Sequence, residues 1–389
     1  MPFEITQEKL LEILAKGEDS HVQFKKNFTN IDSLASELAA FSNSEGGILL
    51  VGIDDKTHLI TGLNLDDISR LNALLSNAAS QHIKPSINTI SSNISTSEGL
   101  VIAIKIEEGL CKPYTDLQGR IWVKSGGDKR HVTAREEIQR MFQESGLVYA
   151  DEVPVNRTSI ADIDLKTFSE YFYRRYRQSI EETGLSTTRL LENLNLALNE
   201  RPNLTGMLLF GTHPERFLPA FMVKAAAFPG CDLHTTSYMD SEDIDGKLTE
   251  QYQRSLSFIK RNLHHIQGNK SVNSIGELEI PLDAVEEILV NAFIHRDYFI
   301  TSPIKIFIFS NRIEIINPGH LPNHLTLNHI RYGLSNMRNP MLASHSAHML
   351  PYRGLGSGIP RALHAWPRID FVNDRDGNQF KVTLHRPKI

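Results

Sequence analysis

The sequence predicts an α/β fold, of the α+β kind, assembled from more than one domain. Three observations lead there. Residues 283–298 read as a helix, because Leu282, Val285, Ile288, Leu289, Ala292 and Phe293 recur at the spacing of one helical face. After it, residues 304–309 and 312–316 alternate as two strands of a hairpin. Near the other end, a helical stretch over 31–43 passes through Gly46 and Gly47 into 48–53, a continuous apolar run typical of a strand covered on both faces. At 389 residues there is material for two or three units, since a single core rarely grows past about 250–300 residues.

Composition narrows the function classes. With 40% apolar and 22% charged residues the chain has the makeup of a folded globular protein, which excludes disorder. It contains no run of about 18 apolar residues, and its first stretch is acidic and amphipathic, unlike a signal peptide, so a cytoplasmic protein without a membrane partner is expected. Cys111 and Cys231 lie far apart without metal-ligand spacing and are read as reduced thiols. A formal net charge of -5 excludes a surface built throughout for polyanions, so any nucleic-acid contact must be a local basic patch.

In chain order, residues 5–16 carry Leu10, Leu11, Ile13 and Leu14 at helical spacing before Gly17. Residues 17–26 alternate as a strand, and the helix over 31–43 and the strand over 48–53 follow. Further on, Lys124, Lys129, Arg130, His131, Arg135 and Arg140 gather on and beside a Gly126-Gly127 hairpin, close in sequence to Tyr114 and Trp122. Such a set supplies phosphate contacts and stacking surfaces, or else is a solvated basic loop. Lys25 and Lys26 form a weaker pair of the same kind.

The stretch ELAAFSNSEGGILLVGIDDKTHLITGL, with Lys112-Pro113-Tyr114, the segment 121–130 and a helix over 134–142, resembles the Schlafen-type AlbA-like domain over roughly residues 10–145. The resemblance implies DNA or RNA binding over a domain taken as 1–146. Some of these relatives cut RNA with three acids around a divalent metal. Glu18 stands at the first of those places and Asp54 or Asp55 at the third, but Gln23 replaces the second acid. An amide lacks the charge that a divalent cluster needs, which favours binding over cutting and leaves a metal-dependent nuclease using Glu18 and Asp54 as the alternative.

Residues 147–270 read as a linker containing Pro154 followed by a middle α/β segment. Helices are expected over 165–176, 187–198 and 256–263, and strands over 204–211 and 220–228.

From 271 to 389 the residues that carry chemistry cluster. Asp283, Glu287, Asn291 and His295 recur every four residues along an otherwise apolar helix, so they stack on one side of it. Buried polar groups left unsatisfied cost about 1–3 kcal/mol each, so they close an internal hydrogen-bond network or meet a ligand. Asn317-Pro318-Gly319 makes a tight turn after the second strand. The polar segment 320–350 is expected to be loop-like, and its histidines, His320, His324, His329, His345 and His348, lack zinc-site spacing. Gly354, Gly356 and Gly358, with Ser357 among them, precede a helix whose unpaired N–H groups and dipole suit an anion. A strand over 379–385 closes the chain.

Glu287-x-x-x-Asn291-Ala292 resembles the N-box of the ATPase superfamily that includes gyrase, the heat-shock chaperone, histidine kinases and MutL. With His295-Arg296-Asp297-Tyr298 it is similar to the RecG-related C-terminal branch of ATP-binding transcriptional regulators. The resemblance implies a GHKL-type α/β sandwich over 271–389 that takes ATP and magnesium. Asn291 would ligate the magnesium and Glu287 would activate the attacking water. The glycines with Ser357 would hold the phosphates, and Asn317 with Gly319 would read the adenine from a place where the superfamily has an aspartate. Segment 320–350 would form a mobile lid, with Lys305 and Arg338 as further cations. The whole chain then reads as an ATP-controlled, nucleic-acid-binding regulator of transcription or of defence against foreign nucleic acid, forming a homo-oligomer, with ATP hydrolysis the activity that the Glu287 role implies. The second alternative is a degenerate ATPase fold used only for interaction.

Overall fold

The computed structural model describes residues 3–233, 237–267, 276–322 and 325–387. It separates into two compact units, 1–148 and 149–389.

The first unit wraps helices around a four-stranded sheet. Helix α1 (Gln7–Lys16) is capped by Thr6, whose side chain accepts from Lys9 N–H, and stops at Gly17 with φ +81°. Strand β1 (Val22–Lys25) leads to α2 (Ile31–Asn43), whose first turn is capped by Asn30. Next come β2 (Gly47–Val51), α3 (Leu65–Gln81), β3 (Thr89–Thr96) and β4 (Gly99–Ile106). The sheet order is β1-β2-β4-β3, with β1 and β2 parallel and the other pairs antiparallel. Leu49, Leu50 and Val51 are buried, so this strand is covered on both faces. A separate hairpin, β5 (Trp122–Ser125) with β6 (Asp128–His131), precedes α4 (Arg135–Glu144).

The second unit has one continuous core over a six-stranded sheet. Helices α5 (Leu165–Tyr176), α6 (Thr187–Asn193) and α7 (Leu204–Phe210) come first. Residues 204–210 are therefore helical and not the expected strand. All seven are buried, so a short apolar run carried no period to distinguish the two, while Asn203 caps the helix by accepting from Gly206 N–H. Strands β7 (Val223–Ala227) and β8 (Asp240–Ile244) and helix α8 (Leu248–Arg261) follow. Helix α9 (Leu282–His295), strands β9 (Ile304–Ile308) and β10 (Arg312–Pro318), short helices α10 (Leu327–Arg331) and α11 (Pro340–Ser346), helix α12 (Gly358–Ala365), and strands β11 (Ile369–Asp374) and β12 (Gln379–His385) complete it.

The sheet order is β8-β7-β9-β10-β12-β11, and β7 runs parallel to β9. The middle segment thus supplies two strands of the sheet that the C-terminal segment continues, and the two share a core where the sequence suggested separate bodies. Segment 320–350 is also more ordered than a loop. Ile330 of α10, Leu342 and Ala343 of α11, and Leu350 beyond them join the core. No helix among the described residues is long and apolar enough to cross a membrane.

Candidate functional site

In the second unit, α9 presents a polar edge to a cleft while its other faces are sealed. Ala284, Val285, Ile288, Leu289, Val290, Phe293 and Ile294 are buried, and Glu287, Asn291 and His295 line the cleft. The cleft measures about 1050 Å3, its open mouth included. All eight residues expected at a nucleotide site line it: Glu287, Asn291, Asn317, Gly319, Gly354, Gly356, Ser357 and Gly358. Arg338 lines it too, whereas Lys305, on β9, does not. His324 lies outside the described residues.

Local chemistry explains how each part is held. Arg296, just past α9, is 1% exposed and donates from Nη2 to the carbonyls of Ala220, Ile300 and Ser302 while packing on the rings of Phe221 and Tyr298. It locks the exit of α9 and is structural. Asn317 is the penultimate residue of β10, opposite Phe380 of β12, and is 6% exposed. Its Oδ1 is buried with no hydrogen-bond partner. A buried acceptor left open is a costly arrangement unless a ligand donor meets it. Around it the cleft wall is apolar, with Ile288, Ile315, Leu325, Phe371, Phe380 and Val382.

The glycine stretch has the geometry an anion needs. Gly354 and Gly356 have φ +68° and +70°, and a Cβ on Gly356 would come within 2.2 Å of the Gly333 carbonyl. Ser357 then precedes α12 without a side-chain cap hydrogen bond, and the first residue of the helix, Gly358, lies so close to α9 that a Cβ would stand 2.8 Å from Glu287 Oε2 and 3.0 Å from Asn291 Nδ2. Three arginines, Arg338, Arg353 and Arg361, face this cleft against a single carboxylate, Glu287. His295 is kept neutral there, its pKa pushed down to about 4 by burial and then by the charge of Arg338. The sequence pattern did not single out Arg353 or Arg361.

Tested against adenine nucleotide, these residues fit: an orphaned acceptor among apolar side chains, with glycines, the start of α12 and guanidinium groups lining the same cleft, Arg338 on the Gly319–His320 side by donating to the His320 carbonyl. For magnesium, the Glu287 carboxylate and Asn291 carboxamide are oxygen donors one turn apart. Among the described residues no three His, Cys, Asp or Glu side chains converge to hold a metal by themselves, so such an ion would lean on phosphate oxygens.

The basic set in the first unit is mostly spent on its own fold. Lys124 Nζ donates to Gln23 Oε1 at 2.8 Å and to the Gly127 carbonyl at 2.9 Å, and burial lowers its pKa. Lys129 Nζ bonds Ser36 Oγ and Glu37 Oε1, Arg130 pairs with Glu137, and Lys25 lies 3.6 Å from Asp55. Trp122 donates from Nε1 to Asp116. Tyr114 is 6% exposed, with its hydroxyl accepting from Cys111 N–H, so it offers no stacking face. The short hairpin that groups these residues in sequence folds back onto the acids and carbonyls of α2 and β1. Glu18 Oε1 accepts from Phe24 N–H, and Asp54 closes a turn by accepting from Lys56 N–H, Thr57 N–H and Thr57 Oγ, which lowers its pKa. Among the described residues neither carboxylate joins a group of three His, Cys, Asp or Glu side chains that could hold a metal.

Comparison with known proteins divides the chain similarly. Residues 18–133 match the family model "Schlafen, AlbA_2", and residues 301–384 match "Putative ATP-dependent DNA helicase recG C-terminal". The second span contains Asn317 and the glycine stretch but starts after α9. Residues 139–224 match a domain of unknown function, DUF8451. The crystal structure of the DIP2311 protein from Corynebacterium diphtheriae is similar at 20% identity and TM-score 0.47, over 97% of this chain and 80% of that one. No curated protein matches.

Proposed function

We propose, from a chain that matches a Schlafen AlbA_2 model at one end and a RecG C-terminal model at the other, an ATP-binding regulator that acts on nucleic acid. The observation that carries the nucleotide half is the unpartnered, buried Asn317 Oδ1 in a cleft that Gly354–Gly358 also line. Asn317 accepts from the adenine amino group, the amides and glycines at the start of α12 hold the phosphates, and Asn291 contributes an oxygen to magnesium. Magnesium-ATP supplies the charged, cleavable phosphate chain. Glu287 is the group able to take a proton from an attacking water, and the protein hydrolyses ATP only when that carboxylate is free.

Titration calorimetry of the full chain with ATP and magnesium tests this. The wild type gives saturable binding, and Asn317→Leu weakens it by about tenfold, the value of one hydrogen bond in a dry site. No binding heat, or equal affinity in the variant, removes the assignment. The regulatory half requires nucleic acid and ATP to change each other's affinity reciprocally. Equal DNA and RNA affinities with and without magnesium-ATP remove it.

A further inference from the structure

Arg361 lies one turn inside α12, and its Nη2 stands 2.5 Å from Glu287 Oε1. The pair is sheltered, with the Glu287 side chain 17% exposed and Arg361 37%. The second carboxylate oxygen, Oε2, crowds Gly358 at the start of the same helix. Glu287 therefore occupies, with its own negative charge, the place where a helix start and a guanidinium group invite an anion. These two residues cannot fill the roles of a nucleotide site while they hold each other. A carboxylate oxygen held against a guanidinium is not free to meet a water, and a guanidinium spent on a carboxylate has fewer donors left for phosphate.

We propose that Arg361 binds the terminal phosphates of the nucleotide, and that Glu287 holds it in reserve until they arrive. The inference rests on the nucleotide reading of the cleft and adds the residue that distinguishes a triphosphate from a nucleoside. A phosphate carries more charge than a carboxylate and presents three oxygens to the planar fork of an arginine, so it outcompetes Glu287 for the same donors. When it does, the carboxylate is released into the cleft. The pair thus lowers the apparent affinity for ATP by the fraction of molecules in which Arg361 is engaged.

The test is a binding cycle on the full chain with ATP, ADP and adenosine as probes. Arg361→Ala weakens ATP by about tenfold and leaves adenosine within about twofold, the loss expected for one charge-assisted contact to phosphate. Glu287→Gln keeps the shape but releases the arginine, and it tightens ATP by about fivefold. In the Arg361→Ala background that gain falls below about twofold, because there is no arginine to release. If Arg361→Ala fails to fold, Arg361→Lys carries the comparison, with ATP weakened by about threefold and adenosine unchanged. Unchanged ATP affinity in Glu287→Gln overturns the proposal. So does a gain of equal size in both backgrounds, which marks plain charge repulsion, and so does equal weakening of ATP and adenosine by the arginine variant. If the wild type binds none of the three probes, the nucleotide reading itself fails, and this assignment with it.

Discussion

Asn339 Nδ2 donates to the carbonyl of Ile294 at 2.9 Å and to that of Arg296 at 2.8 Å. The side chain is fully buried and serves as the cap for the last turn of α9, whose carbonyls have no partner within the helix. It ties the segment carrying Arg338 to the helix that carries Glu287 and Asn291, so cleft wall and cleft floor hold a fixed spacing. Asn339→Ala strips both carbonyls of their donor and is expected to cost about 2–6 kcal/mol, from about 1–3 kcal/mol for each buried group left unsatisfied. Urea unfolding measures it, and a cost below about 0.5 kcal/mol contradicts the capping role.

A second expectation concerns pH. His345, 2% exposed, accepts at Nδ1 from the Tyr171 hydroxyl at 2.6 Å and faces the Leu194 carbonyl with Nε2 at 3.1 Å, which assigns the proton to Nε2. Burial, then the charge of Arg175, pushes its pKa down to about 4. Between pH 6.5 and 4 the unfolded chain binds a proton there that the folded chain refuses, so stability falls as pH drops through that window and levels off below it. The size is about 3 kcal/mol for a shift of this extent. His295 works in the same direction, whereas Asp151, raised to about 6 by burial, stabilises the fold as pH falls from about 6 to 3.8. The informative quantity is therefore the difference between wild type and His345→Gln across the window, followed by denaturant midpoints. A parallel pair of curves disproves it.

The third expectation separates folding from recognition in the first unit. Lys129 Nζ sits 2.9 Å from Glu37 Oε1, and Glu37 is 4% exposed with its other oxygen unpartnered. Lys129→Ala strands that carboxylate and is expected to cost about 3 kcal/mol. A lysine held this way makes no phosphate contact, so the slope of nucleic-acid affinity against salt stays the same, where a true phosphate contact removes about one unit. A reduced slope with unchanged stability inverts the assignment.

Much of this was legible in sequence where a period or a breaker spoke for the structure. The four-residue stripe of α9, the alternation of β9 and β10, and the glycines before α12 each encode their own geometry, and Glu287, Asn291, Asn317, Gly319 and Gly354–Gly358 line one cleft, while Asp283 and Lys305 do not. The run that forms α7 is buried on every side, so its local helix signal is the cap at Asn203. The partners of Tyr114 and the hairpin lysines are hidden for a different reason. Their partners, Asn43, Gln23 and Glu37, lie far back in the chain, and no spacing rule reports which acid a lysine will meet. Arg361 and Glu287 are hidden in the same way, since only the packing of α12 on α9 joins them.

The parallel seam between Val223–Ala227 and Ile304–Ile308 has a practical consequence. A shortened protein beginning at residue 271 lacks β7, which leaves the backbone amides and carbonyls along the outer side of Ile304, Ile306 and Ile308 without their neighbour. A bare, apolar strand border is a template for any other strand that comes near. Such a fragment will recruit a replacement from another copy of itself, so dimers or aggregates found with it report a severed sheet and say nothing of how the intact molecule assembles.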